Sequence, residues 1–332
     1  MDAGGARRHL STVAVHRLRA RTWAIACVLA LGAVYLVAGA TAAAPASGRT
    51  IDVWVAAVPI QWNIVPNGRD AMMGTAVSPA DSVLSTVVYR RYSPGWRKPL
   101  ENAPRSSADG LAIPGPLIKA RVGDRLRIHF KNMDTLRHEP HSMHFHGVTY
   151  APASDGAYIP GFSGPGADVP VGHTFTYRLT AGPNSAGVWP YHDHSPSMMD
   201  SIDGGMFGML SILGRHEQAP DREFEVALVP WGKFMTIDGR AYIGNTPVFH
   251  AKVGELVQWD VMAMGSDFHT FHVHGHRWVT SDGPRDTQTI GPAETYRIRW
   301  REDNPGTWLY HCHVESHMMA GMIGIYRVKG KA

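Results

Sequence analysis

Metal-seeking side chains are concentrated in a few short stretches of this sequence. Ten of the 19 histidines fall in four clusters: HFH (His144, His146), HDH (His192, His194), HTFHVH (His269, His272, His274) and HCHVESH (His311, His313, His317). In the last cluster Cys312 sits between two histidines, His317 follows it by five residues and Met322 by ten. Two His, one Cys and a distant Met form the ligand set of a blue-copper electron-transfer centre. On a strand, residues i and i+2 face one way while i+1 faces the other. Each HxH pair therefore converges on one side, and eight imidazoles, four from each half of the chain, can line one cleft. His311 and His313 face that cleft, so Cys312 faces away from it, toward His269 and His317, with Met322 as a weak axial partner. One residue then links a sulfur at one site to two imidazoles at another, a short bonded route for electrons.

Rival metals fit less well. Structural zinc takes four N/S ligands, often from paired cysteines, and the sequence has neither CxxC nor HExxH. A single HxH pair says little, but clusters recurring in the same order say more. His129, His138, His141, His173, His216 and His250 read as structural, and His276, in HGHRW, as support for the ligands. The pairs Met198–Met199 and Met318–Met319 read as packing, against a competing role as soft thioethers for Cu(I).

The elements that must place these groups occur twice. LIKARVGDRLRIHF (residues 117–130) matches VFHAKVGELVQWDV (248–261), each alternating apolar and polar residues around a Val-Gly-acid turn. HFHG answers HVHG, TYR answers TYR, GVWPYHDH answers GTWLYHCH, and GMFG answers GMIG, in one order. This is a duplicated domain of short alternating strands, which predicts two β-sandwiches, over residues 50–215 and 220–332. Residues 59–114 have no counterpart in the second copy and read as loops and a decorated entrance. Asp193 stands where the second copy has Cys312, so the first copy lacks the thiolate; Met206, matching Met322, reads as a relic or core residue.

The chain has 332 residues and a formal net charge of +4. Residues 1–44 hold five of the basic residues and one acidic residue, so the remainder is balanced, which argues against a nucleic-acid partner. Five arginines precede an apolar run over residues 23–40, and small residues follow. That is the layout of an export signal, long enough to serve as a membrane anchor, with Arg7-Arg8 as a twin-arginine element. The expectation is export, to be secreted or held at the outer face. Cys27 lies in that run, so cleavage leaves Cys312 alone and excludes a disulfide framework.

The four clusters, in this order and spacing, resemble those of the multicopper oxidases, above all the two-domain bacterial small laccases. The resemblance implies two cupredoxin-like Greek-key β-sandwiches and four copper ions per chain. It assigns His269, Cys312, His317 and Met322 to a type 1 copper, and His144 and His272 to a type 2 copper. It assigns His146, His192 and His313 to one type 3 copper, and His194, His274 and His311 to the other. It implies further that Tyr150 lies close to the trinuclear cluster, that Asp155 delivers protons to it, and that a homotrimer builds each cluster between subunits. The implied reaction couples oxidation of phenolic or aromatic-amine donors to reduction of O2 to water. Its competitors are a metal-ion oxidase acting on Cu(I), Fe(II) or Mn(II), a copper nitrite reductase and a copper carrier without turnover. Nitrite reductases keep their type 1 site in the first domain, where this sequence has Asp193. A carrier has no need for a cysteine bridging two sites.

Overall fold

The computed structural model describes residues 48–101 and 112–331. The export signal or anchor expected over residues 1–44, with Cys27, lies outside them.

The described chain forms two β-sandwiches. In the first, a five-stranded sheet runs in the order Val83–Tyr92, Thr50–Asn63, Arg125–Asn132, Thr174–Thr180, Thr149–Tyr150. It faces a four-stranded sheet ordered Ile118–Arg121, Phe207–Leu213, Gly187–His192, His144–Phe145. In the second, the sheets are Phe234–Ile237, Arg222–Trp231, Leu256–Ala263, Thr295–Arg301 and Val248–Lys252, Ile323–Lys329, Gly306–Cys312, His269–Val273, Thr287–Ile290. The repeat seen in sequence is a repeat of topology. Ile118–Arg121 pairs in parallel with Phe207–Leu213 as Val248–Lys252 pairs with Ile323–Lys329.

Period-two alternation decides which face is buried. In Arg125–Asn132, Leu126, Ile128 and Phe130 turn into the core while Arg125 and Arg127 stay exposed. Each sandwich has its own core, around Phe130, Tyr177 and Tyr191 in the first and Trp259, Phe271 and Tyr310 in the second. A third cluster, including Trp62, Phe207, Met209, Val229 and Met262, draws on both sandwiches. Arg297 adds polar ties, donating to the carbonyls of Gly187 and Ile212 at 2.7 Å each.

Two strand segments, residues 59–63 and 83–92, correct in part the loop expectation for residues 59–114. Thr50–Asn63 pairs antiparallel with Val83–Tyr92, and Pro59, opposite Val87, lies inside that ladder. The β-branched and aromatic run VVY (Val87, Val88, Tyr89) supplies the strand propensity. Proline is tolerated because the other edge of its strand pairs with Arg125–Asn132 only from Thr50 to Ala57.

Buried acids give this fold a pH dependence. Asp238 accepts the Ala227 N–H at 2.7 Å through Oδ1, while its buried Oδ2 has no partner. Burial pushes its carboxyl up to about 8. Glu225 is raised well above the ordinary range, by burial first and then by Asp238 and Asp260. Across the window from about pH 4 to about 8 the folded chain holds a proton on Asp238 that the unfolded chain has released. Stability therefore falls as pH rises, by about 1.4 kcal/mol per pH unit for each such group. Asp238→Asn is expected to flatten the pH dependence of the urea midpoint over that window. An unchanged slope would refute the assignment.

Candidate metal centres

The sulfur-containing group is assembled by two antiparallel strands and a short helix. His269–Val273 and Gly306–Cys312 pair with Phe271 opposite Cys312 and His272 opposite His311. Glu315–Met319 turns the chain so that His317 comes back over the sulfur, and the Met322 N–H donates to the His317 carbonyl at 3.0 Å. Cys312 Sγ lies 3.8 Å from His269 Nδ1 and 3.7 Å from His317 Nδ1, and the two nitrogens are 3.2 Å apart. His269, Cys312 and Met322 are all fully buried. Burial, then the neighbouring His317, pushes the His269 imidazole down to about 4, and burial raises the Cys312 thiol. His269 Nε2 has no hydrogen-bond partner. Nδ1, on the other side of the ring, has only another ring nitrogen and a sulfur as polar neighbours, and a bound soft cation would satisfy that nitrogen.

The other eight histidines form two sets. In the first sandwich His144, His146, His192 and His194 contact one another with ring centroids 5.1–5.7 Å apart. In the second, His272, His274, His311 and His313 do the same at 5.1–5.5 Å. The pleat places His311 and His313 together on one side and the Cys312 sulfur on the other. His146 Nε2 and His192 Nε2 approach to 3.3 Å, and His274 Nε2 and His311 Nε2 to 3.0 Å. Among the described residues, three groups have ligand atoms close enough to hold one ion each: His144, His146 and His192; His269, Cys312 and His317; His272, His274 and His311. Each group belongs to a single sandwich. His146 and His192 are pushed down to about 4, by burial first and then by neighbouring imidazoles. Neutral rings are the metal-binding form.

Backbone carbonyls fix which nitrogen faces the metal. His144 Nδ1 donates to the Asp155 carbonyl at 2.7 Å, and His272 Nδ1 to the Asp286 carbonyl at 2.6 Å. His192 Nδ1 donates to the Asp193 carbonyl and His311 Nδ1 to that of Cys312, both at 2.9 Å. In these four rings Nε2 is left with its lone pair, whereas the sulfur group presents Nδ1. Asp286 escaped sequence reading because it acts through its carbonyl; the only signal was an aspartate following His272 much as Asp155 follows His144. Two glycines allow close packing behind the pairs. A Cβ on Gly147 would lie 2.0 Å from the Trp189 ring, and one on Gly275 would lie 2.9 Å from Trp308.

Tyr150 lies beside His144, ring centroids 6.3 Å apart. Its hydroxyl is pushed up to about 12 by burial and then by the Asp155 carboxylate. The Asp155 carboxylate is 3.5 Å from His144 Nδ1. His276 is hydrogen-bonded through Nδ1 to the His274 carbonyl at 2.7 Å and through Nε2 to Glu302 at 2.9 Å, and so braces the HVH strand. The packing expected of the methionine pairs fails in part. Met199 is 74% exposed and Met319 38%. Met198 and Met199 instead line a cavity of about 250 Å³ with Met264, Asp203 and His192.

Two cupredoxin-like sandwiches carrying one thiolate group and paired imidazoles define a copper oxidoreductase. Two family models, both described as multicopper oxidase, match residues 107–217 and 216–331. Together they span most of the chain, which belongs to the multicopper oxidase family, whose cofactor is copper. A probable nitrite reductase-hydroxylamine oxidoreductase fusion protein from Kuenenia stuttgartiensis is 31% identical over 247 residues, 67% of this chain and 28% of that protein. Human ferroxidase HEPHL1 is 28% identical over 336 residues, 80% of this chain and 28% of its own length. The chain thus spans little more than a quarter of these curated relatives. A crystal structure of a multicopper oxidase superposes with a TM-score of 0.65 at 22% identity, covering 84% of this chain and 89% of that one, a likeness of fold.

Proposed function

We propose that this chain is a laccase-like oxidase that takes single electrons from a small phenolic or aromatic-amine donor and delivers them to O2. The observation that carries this reading is the opposed geometry at position 312, with sulfur in one ligand group and the flanking imidazoles in another. Copper in these groups supplies one-electron transfer at the sulfur site and four-electron reduction of O2 to water at a trinuclear site, four ions per chain in all. The chain's own contribution is position and protons. His269, Cys312, His317 and Met322 hold the electron-entry ion, and Cys312 connects it covalently to His311 and His313. Tyr150 and Asp155, both beside His144, are the groups that supply protons to O2 reduction in this reading.

A homotrimer with each cluster between subunits is part of this proposal. Each sandwich supplies a set of four imidazoles, and His313 of the second set is exposed in the single chain. Beside the first set, Tyr158 N–H donates to the His194 carbonyl, and the following Ile159 and Phe162 are 53% and 87% exposed. Apolar side chains left open next to an incomplete ligand set suit a subunit contact. The basic, apolar and small-residue order of residues 1–44 supports export.

A second reading, oxidation of a metal ion such as Cu(I), is favoured by the methionine-lined cavity beside His192 and by the ferroxidase relative. Oxygen uptake by copper-loaded protein, measured with a panel of phenols, aromatic amines, Cu(I), Fe(II) and Mn(II), separates the readings. Uptake with phenols or amines supports the first, and uptake with metal ions alone supports the second. Nitric oxide release from nitrite without oxygen uptake would favour a nitrite reductase, and full copper with no uptake on any donor a carrier.

A further inference from the structure

The first sandwich repeats the backbone of the sulfur site with other side chains. His141 stands three residues before His144, as His269 stands three before His272. Asp193 takes the place of Cys312 and Met206 that of Met322. The Asp193 N–H donates to the Met206 carbonyl at 3.0 Å, and the Cys312 N–H to that of Met322 at 3.1 Å. The Ser142 N–H donates to Asp193 Oδ1 at 2.7 Å, and the Thr270 N–H to Cys312 Sγ at 3.3 Å.

What fills this frame is an ion network. His141 is fully buried, with Nδ1 3.1 Å from Asp193 Oδ2 and Nε2 3.2 Å from Asp134 Oδ2. The carboxylates grip opposite edges of the ring, so the three residues cannot chelate one ion as His269, Cys312 and His317 can. Asp193 also accepts from Ser142 Oγ at 3.2 Å and from Ser195 Oγ at 2.8 Å. Asp134 accepts the N–H groups of Leu136 at 2.8 Å, Arg137 at 2.9 Å and Glu139 at 3.3 Å. Buried charges persist when they are paired and their lone pairs are served in this way.

We propose that Asp134, His141 and Asp193 are positioning residues that hold the first sandwich's share of the cluster in place without metal, in the frame that the second sandwich uses for its sulfur site. Both imidazoles of the HDH pair hang on the pinned segment. The Asp193 carbonyl accepts from His192 Nδ1 at 2.9 Å, and Ser142 Oγ accepts from the His194 N–H at 3.0 Å. In the second sandwich the Cys312 carbonyl holds His311 in the same way, but the cysteine side chain accepts one backbone N–H, from Thr270 at 3.3 Å, and otherwise meets only the ligand group it belongs to. The first half of the cluster is thus set before any metal arrives. This inference rests on the eight histidines sharing a copper cluster.

The test compares full-length wild type, Asp193→Asn and Asp193→Ala after copper loading, by copper per chain, blue absorption, the type 2 EPR signal and donor bleaching without oxygen. For Asp193→Ala the copper content is expected to fall from about four to about one per chain, with loss of the type 2 signal. The blue band is expected to stay and to bleach normally with donor, which a generally misfolded chain would not show. Asp193→Asn, which keeps an acceptor for the Ser142 amide, is expected to restore part of the lost copper. Should Asp193→Ala fail to fold, Asp134→Asn is expected to lose type 2 copper to a chelator about tenfold faster than wild type. Full copper and an unaltered type 2 signal in folded Asp193→Ala, or unchanged retention in Asp134→Asn, would overturn the inference. Wild type holding only about one copper would sink the cluster reading beneath it instead.

Discussion

Cys312→Ser is expected to remove the intense blue absorption and to cut oxidation of organic donors by more than about 100-fold, while copper stays in the imidazole sets. Serine keeps the strand and the Cys312 carbonyl that accepts from His311 Nδ1 at 2.9 Å. It removes the sulfur lying 3.8 Å and 3.7 Å from the two Nδ1 atoms, and with it the thiolate that selects a soft ion and bridges to the flanking histidines. Optical spectra, copper analysis and donor-dependent oxygen uptake on one preparation decide it. Donor oxidation retained at wild-type rates would contradict the electron route.

The second large effect concerns where the cluster forms. His146→Ala removes a ligand from the first sandwich and His274→Ala one from the second. Each variant alone is expected to be inactive. Co-expressed in equal amounts, they are expected to recover about a quarter of wild-type oxygen uptake. That is the share of contacts in a closed ring at which an intact first sandwich meets an intact second one. Mixed assemblies seen by mass spectrometry but without activity would place each cluster within one chain and refute the intersubunit arrangement.

How much of this was legible in the sequence depended on whether side chains or backbone carried the role. The HxH pairs and the cysteine between two of them were readable because the pleat has a period of two. The repeat fixed their partners across the two halves. The carbonyl acceptors were not readable: Asp286 and Asp155 orient His272 and His144 through atoms that every residue has. His141 reads as structural in sequence because it stands alone, outside any HxH pair. It is structural, yet it lies on the counterpart of His269 and binds Asp193, the residue that replaces the cysteine. Residues 59–114 read as loops because they lack a counterpart in the second copy and are rich in Pro, Gly and Ser near their end; the strand Val83–Tyr92 lies ahead of that end, and Pro59 is tolerated beyond the reach of the neighbouring parallel strand. The methionine pairs were read as packing because thioethers usually fill cores; exposure of Met199 and Met319 is a tertiary outcome that no local pattern encodes.

Anomalous scattering at the copper edge, from crystals of copper-loaded protein, tests the opposed geometry at position 312 most directly. The prediction is one copper within about 2.3 Å of Cys312 Sγ, shared with His269 and His317, and separate copper peaks among the paired imidazoles including His311 and His313. A copper bound jointly by Cys312 and His311 or His313, or imidazole sets devoid of copper in fully loaded protein, would contradict it.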